Sequence, residues 1–141
     1  EGAIGQDTLF FHELLLNSES IKSINLNIHI YYAAVSNSTV NTISDKFYKK
    51  YIKLENRREE VFIKHNILKD YLKFRYPFYF ENWYVKKLKN VSEDNLDQSI
   101  KAIANLLEIY KDHIDTKVEI FDEFLEIDDI KIQKIKNKYY Y

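Results

Sequence analysis

The stretch VNTISDKFYKKYIKLENRREEVFIKHNILKDYL, residues 40–72, decides the fold class. Within it Val40, Ile43, Phe47, Tyr51, Leu54, Arg58, Val61, His65, Leu68 and Leu72 recur at steps of three and four. That spacing places them on one side of a helix, and its persistence is that of a heptad seam. The polar break Ser36-Asn37-Ser38-Thr39 supplies an N-cap. Downstream, the ring of Pro77 disfavours helical geometry at Tyr76, so the pattern predicts a helix over about 38–75 that stops there.

A second seam follows. Leu96, Ile100, Ile103, Leu107, Tyr110, Ile114, Val118, Phe121 and Leu125 step in the same way, opened by Ser92 with Asn95 three residues on. It predicts a helix over about 93–126, with Asp115-Thr116 as a place where it can break. Shorter helices flank the pair: one through Leu9 to Leu15 capped by Asp7 or Thr8, an aromatic helix or connector over 78–89, and a helix or strand over 127–138. Residues 20–35 read either way. Ile24, Leu26, Ile28 and Ile30 alternate as in a strand, while Ile21, Ile24, Ile28 and Tyr31 form a helical stripe, and helix is the reading adopted.

Glycine usage supports an all-α chain. Of 141 residues only Gly2 and Gly5 are glycine, and Pro77 is the one proline. Tight hairpins draw on glycine for positive φ, whereas helix interiors exclude it. The expectation is therefore an all-α antiparallel helical bundle with two long helices and shorter flanking ones. Residues 1–6 are set apart as a flexible N-terminal tether, and 7–141 read as one domain.

Charge is segregated along the chain. Residues 38–90 carry 13 Lys+Arg against 6 Asp+Glu, and residues 91–130 carry 3 against 12. Such complementarity suits two helices that pair with each other. Aromatics reach 16% and the net charge is −1, a composition that folds. No run approaches the ~20 apolar residues of a membrane span.

The chemistry-bearing motifs are missing. There is no cysteine, hence no disulfide or thiolate site. None of His12, His29, His65 and His113 has an acid three residues before it, as a di-iron bundle requires, so no metal and no cofactor are expected. No serine lies in a glycine-flanked elbow and no glycine-rich loop cradles phosphate. Asp122-Glu123 and Asp128-Asp129 read as solvated carboxylates. No catalytic residue is assigned, and the chain is read as a non-enzyme.

Three features remain. Arg58 and His65 fall on the first seam, where apolar residues belong; they read as register-fixing polar residues paired with an acid of 91–130, or, for His65, as a pH-sensitive contact. Lys46, Lys49, Lys50, Lys53 and Arg57 share one helix surface, but the chain's pI of about 6.5 argues against nucleic acid. The third is Tyr71 to Tyr84, where Tyr71, Phe74, Tyr76, Phe78, Tyr79, Phe80, Trp83 and Tyr84 make eight aromatics in 14 residues. One face of a connector does not bury all eight. The segment divides between core and partner surface, with Phe inward and Tyr and Trp at the edge, and Tyr76, Tyr79, Trp83 and Tyr84 are the expected partner-binding residues.

Asn105-Leu106-Leu107-Glu108-Ile109-Tyr110-Lys111-Asp112-His113-Ile114 and Ile130-Lys131-Ile132-Gln133-Lys134-Ile135-Lys136 resemble the Lys/Ile/Asn-rich helices of plasmid-encoded exported and outer-surface proteins of Lyme-disease spirochaetes. The likeness is compositional, covers under a third of the chain, and sits beside a tyrosine content foreign to that group. It implies an exported protein that contacts host molecules. The absence of a starting methionine fits the loss of an export or lipoprotein leader. The expected function is thus a non-enzymatic protein-binding module, extracellular or on the outer cell surface. The alternative is an intracellular inhibitor or immunity protein that blocks another protein, such as a toxin or nuclease, with the acidic stretch 91–130.

Overall fold

The computed structural model describes residues 5–25, 43–114 and 117–141. Among them every regular element is a helix and there is no strand. Helix α1 spans Gln6–Leu16 and α2 spans Asp45–Lys64. Gly5, counted with the tether, is the N-cap of α1 at φ 78°, and a Cβ there would stand 3.3 Å from Leu54 of α2. Its glycine therefore serves both conformation and close approach.

The first long helix is shorter than its seam. It ends at Lys64, not near Arg75, because Asn66 turns left-handed at φ 56°. The Asn66 N–H then donates to Ile63 O and the Ile67 N–H to Phe62 O, both at 2.9 Å. This pair of reversed bonds satisfies the last carbonyls, and asparagine tolerates the left-handed position better than most residues. Residues 38–42 lie outside the described residues.

From Leu68 the chain is helical again and does not stop at Pro77. Tyr76 is helical, at φ −64° and ψ −38°. Short helices α3 (Leu68–Asp70) and α4 (Tyr76–Tyr79) alternate with two wider π turns, Tyr71–Arg75 and Phe80–Tyr84, before a 3₁₀ run over Val85–Asn90. The π turn ahead of Pro77 relieves the clash that a regular α turn would impose between the proline ring and the carbonyl four residues back.

The sequence explains the wide turns. Leu68, Leu72, Tyr76, Phe80, Tyr84 and Leu88 are spaced by four, and all are buried. With 3.6 residues per turn, residues four apart drift around an α-helix. A π turn takes in one more residue and cancels the drift. The four-residue line therefore stays against the core from one end of the segment to the other.

The second long helix is also divided. Helix α5 spans Leu96–Glu108, not 93–126, and a 3₁₀ turn over Glu93–Asn95 precedes it, where Asn95 donates to Ser92 Oγ at 2.8 Å. Bonds from Tyr110 N–H to Leu107 O and from His113 N–H to Tyr110 O tighten the chain beyond it. Helix α6 then spans Glu119–Phe124 and α7 spans Asp129–Tyr139, capped by Asp128 accepting from the Lys131 N–H at 2.7 Å. Ile21–Asn25 is not helical, with Ile21 and Ile24 exposed; the remainder of the helix assigned to 20–35 lies outside the described residues.

Helix α5 packs chiefly on α2, and Ile100, Ile103, Leu106, Leu107 and Tyr110 are wholly buried. Ionic complementarity works differently from the expectation. The acids Asp97, Glu119 and Glu123 pair with Lys136 and Lys138 of α7. Arg57 of the basic stripe pairs with Glu13 of α1 and Glu60 of its own helix, both at 3.0 Å, and Lys49 pairs with Asp45. None of these ion pairs joins α2 to α5. Among the described residues no helix is long and apolar enough to cross a membrane.

Candidate functional site

The aromatic segment of residues 71–84 has two contrasting faces, and the inner one is built around a buried carboxylate. Glu55 and Arg58, three apart on α2, are both buried within the core. Arg58 Nη1 donates to Glu55 Oε1 at 2.5 Å and to the Tyr71 hydroxyl at 3.1 Å. Tyr84 donates its hydroxyl to the same Oε1 at 2.5 Å, and Tyr110 donates to Oε2 at 2.6 Å. The guanidinium also lies over the rings of Tyr79 and Tyr71, at 5.1 and 5.7 Å from their centroids. The carboxylate is held by one guanidinium and two hydroxyls, the pairing that favours keeping an ion pair away from water.

Titration follows from this enclosure. Burial, reinforced by the Glu55 carboxylate, pushes the hydroxyls of Tyr76, Tyr84 and Tyr110 well above the ordinary tyrosine range. Burial, the largest single influence, pulls Arg58 down, but Glu55 together with Tyr71, Tyr79 and Tyr110 holds the guanidinium above its usual value. Among the described residues, two buried polar atoms in the cluster have no hydrogen-bond partner: Arg58 Nε and the Tyr76 hydroxyl.

The outer face carries Phe74 and Phe78, also four apart, which are 70% and 59% exposed. Each ring has a cation above it: Lys73 Nζ lies 4.9 Å from the centroid of Phe74, and the Arg75 guanidinium 5.3 Å from that of Phe78. Asn82 donates to Phe78 O at 2.8 Å and accepts from Lys86 Nζ at 2.7 Å, extending the same line. Between the two faces lies a stack of Tyr79 on Trp83, centroids 6.3 Å apart and 17° from parallel, with Lys87 Nζ 4.4 Å from the indole.

The four residues expected to bind a partner divide accordingly. Tyr76 and Tyr84 have no exposed surface and belong to the core, so they are not contact residues. Tyr79 and Trp83 are half-buried, and the Trp83 indole N–H donates to the Tyr51 hydroxyl at 2.8 Å. The anticipated order of Phe inward and Tyr outward holds at Phe80 and is reversed at Phe74, Phe78, Tyr76 and Tyr84; Tyr84 lies inward as a hydroxyl donor to the buried carboxylate, a role phenylalanine cannot fill, while Tyr76 is held there by ring packing.

The acid paired with Arg58 is Glu55 of its own helix and not, as expected for a register-fixing residue, one from 91–130. His65 caps the end of α2, half-buried. Glu55 went unmarked in the sequence, Tyr110 was read only as a seam residue, and Phe74 and Phe78 were expected inward; the clues were an acid three residues before a seam arginine and the four-residue spacing of 68–88. Among the described residues no group of three His, Asp or Glu side chains gathers to hold a metal. No family model, curated protein or solved structure matches this chain.

Proposed function

We propose that this chain is a non-enzymatic protein-binding module on a helical-bundle scaffold, exported or displayed on the outer cell surface. Its recognition face is the outer line of the aromatic segment: Phe74 and Phe78, with Lys73 and Arg75. The observation that carries the reading is the exposure of two large apolar rings on a segment whose opposite line is wholly buried. Exposed rings held by a rigid backbone lose little freedom on binding, and aromatic and arginine side chains are frequent interface anchors. Cations over both rings favour a partner that presents apolar pockets rimmed by carboxylates.

For the blocking-inhibitor alternative, three of the twelve acids of the stretch, Asp97, Glu119 and Glu123, are already paired with α7. The test is affinity capture on the immobilised protein, with bound proteins identified by mass spectrometry. It is run in parallel with a Phe74→Ala/Phe78→Ala variant and with Tyr139→Ala as a distant control. Loss of a captured protein from the double variant alone supports the assignment. Equal capture by all three proteins refutes it.

A further inference from the structure

We infer that the buried cluster is also a one-electron redox site, in which Tyr110 is oxidised with transfer of its proton to Glu55 and the oxidising equivalent enters at Trp83. A continuous aromatic path joins the two. Trp83 stacks on Tyr79 at 6.3 Å, Tyr79 on Tyr76 at 6.5 Å, and Tyr76 meets Tyr110 edge-on at 4.8 Å. Trp83 is half-buried, so an oxidant in solution reaches the start of the path, whereas Tyr76 and Tyr110 are sealed inside.

Hydrogen bonding determines where the radical comes to rest. Oxidising a phenol makes its proton strongly acidic, so a lasting neutral radical needs a base already in contact. The Tyr76 hydroxyl has no hydrogen-bond partner among the described residues, so it passes the equivalent on. The Tyr110 hydroxyl is 2.6 Å from Glu55 Oε2. Tyr84 also touches the carboxylate, but through Oε1, which already holds the Arg58 guanidinium at 2.5 Å and is the poorer base for it. The chain supplies no competing sulfur, having neither cysteine nor methionine, the side chains that usually absorb oxidising equivalents.

The step balances as follows. A one-electron oxidant, such as a ferryl haem or a nitrogen dioxide radical, takes one electron from the Trp83 indole and is itself reduced. Electrons move outward in turn from Tyr79, Tyr76 and Tyr110. The Tyr110 O–H bond breaks and a Glu55 Oε2–H bond forms, leaving a neutral tyrosyl radical beside a neutral carboxyl group.

The experiment is flash photolysis of the whole chain with a ruthenium polypyridyl photosensitiser and a cobalt(III) electron acceptor, followed by optical and electron paramagnetic resonance spectroscopy. The expected result is a short-lived tryptophan radical that converts to a neutral tyrosyl radical persisting in the presence of ascorbate, with slower conversion in deuterium oxide. Tyr110→Phe should abolish the persistent tyrosyl signal and Trp83→Phe should abolish its formation, while Tyr141→Phe on the exposed tail should leave it unchanged. The wild-type measurement decides even where a variant folds poorly. A tyrosyl signal quenched at once by ascorbate, or a radical that remains on Trp83, overturns the inference.

Discussion

The inner and outer lines of residues 68–88 are built from similar residues and do opposite work. Tyr76, Phe80 and Tyr84 are sealed, with rings against Tyr110, Phe124 of α6 and Tyr48 and Tyr51 of α2, whereas Phe74 and Phe78 stand in solvent under Lys73 and Arg75. Hydrophobicity does not sort them, since phenylalanine is the more apolar ring. Glu55 sorts part of the line: a buried carboxylate is stabilised by hydroxyl-bearing rings, so Tyr84 turns inward to donate to it, while Tyr76 and Phe80 are buried by ring packing. The difference teaches that an aromatic-rich segment is read by which polar group it must satisfy, as well as by which rings are greasiest.

The largest way to break the contrast is Glu55→Ala. It strands a buried guanidinium that cannot give up its proton, together with two phenol donors, and should destabilise the fold by about 3–5 kcal/mol in urea unfolding. Tyr84→Phe removes one hydrogen bond to that charge and should lose about 1.5–3 kcal/mol by the same measurement. Alkaline titration probes the cluster without mutation. Tyr76, Tyr84 and Tyr110 are held protonated in the fold by burial, above their unfolded value near 10. Their contribution to stability is therefore complete below about pH 10 and is lost as the pH rises further. Phenolate absorbance from these residues should appear only together with loss of the helical circular dichroism signal; its appearance in a fully helical protein would contradict their burial. Asn66→Ala, which obliges alanine to adopt the left-handed turn closing α2, should cost about 1–2 kcal/mol in the same urea unfolding.

The all-α class was legible from the glycine-free body and the two seams. Their lengths were not. A seam records which residues face the core and continues through a break that preserves that facing, as it does across Asn66 and again after Glu108. The Asn66 turn is hard to read because asparagine is common in loops and helices alike, and its reversed bonds are made by backbone atoms. Pro77 was misread for a related reason: the rule that it ends a helix assumes a regular α turn before it, and the four-residue line from Leu68 to Leu88 enforces a wider one. Of the site, Arg58 was visible as a charge on an apolar seam. Glu55 was not, because it sits just beside the seam, where an acid three residues before an arginine ordinarily marks a solvated pair. Without Glu55, the inward turn of Tyr84 had no basis.

The central claim is that one line of this segment holds the fold and the other is left free for recognition. The direct measurement is the unfolding free energy of Phe74→Ala/Phe78→Ala, beside that of Tyr84→Phe, by urea titration followed through Trp83 fluorescence. The account predicts that the double variant stays within about 0.5 kcal/mol of the parent, as surface substitutions usually do, while Tyr84→Phe clearly falls below it. A loss in the double variant equal to or greater than that in Tyr84→Phe would contradict it, showing that Phe74 and Phe78 are part of what holds the chain together.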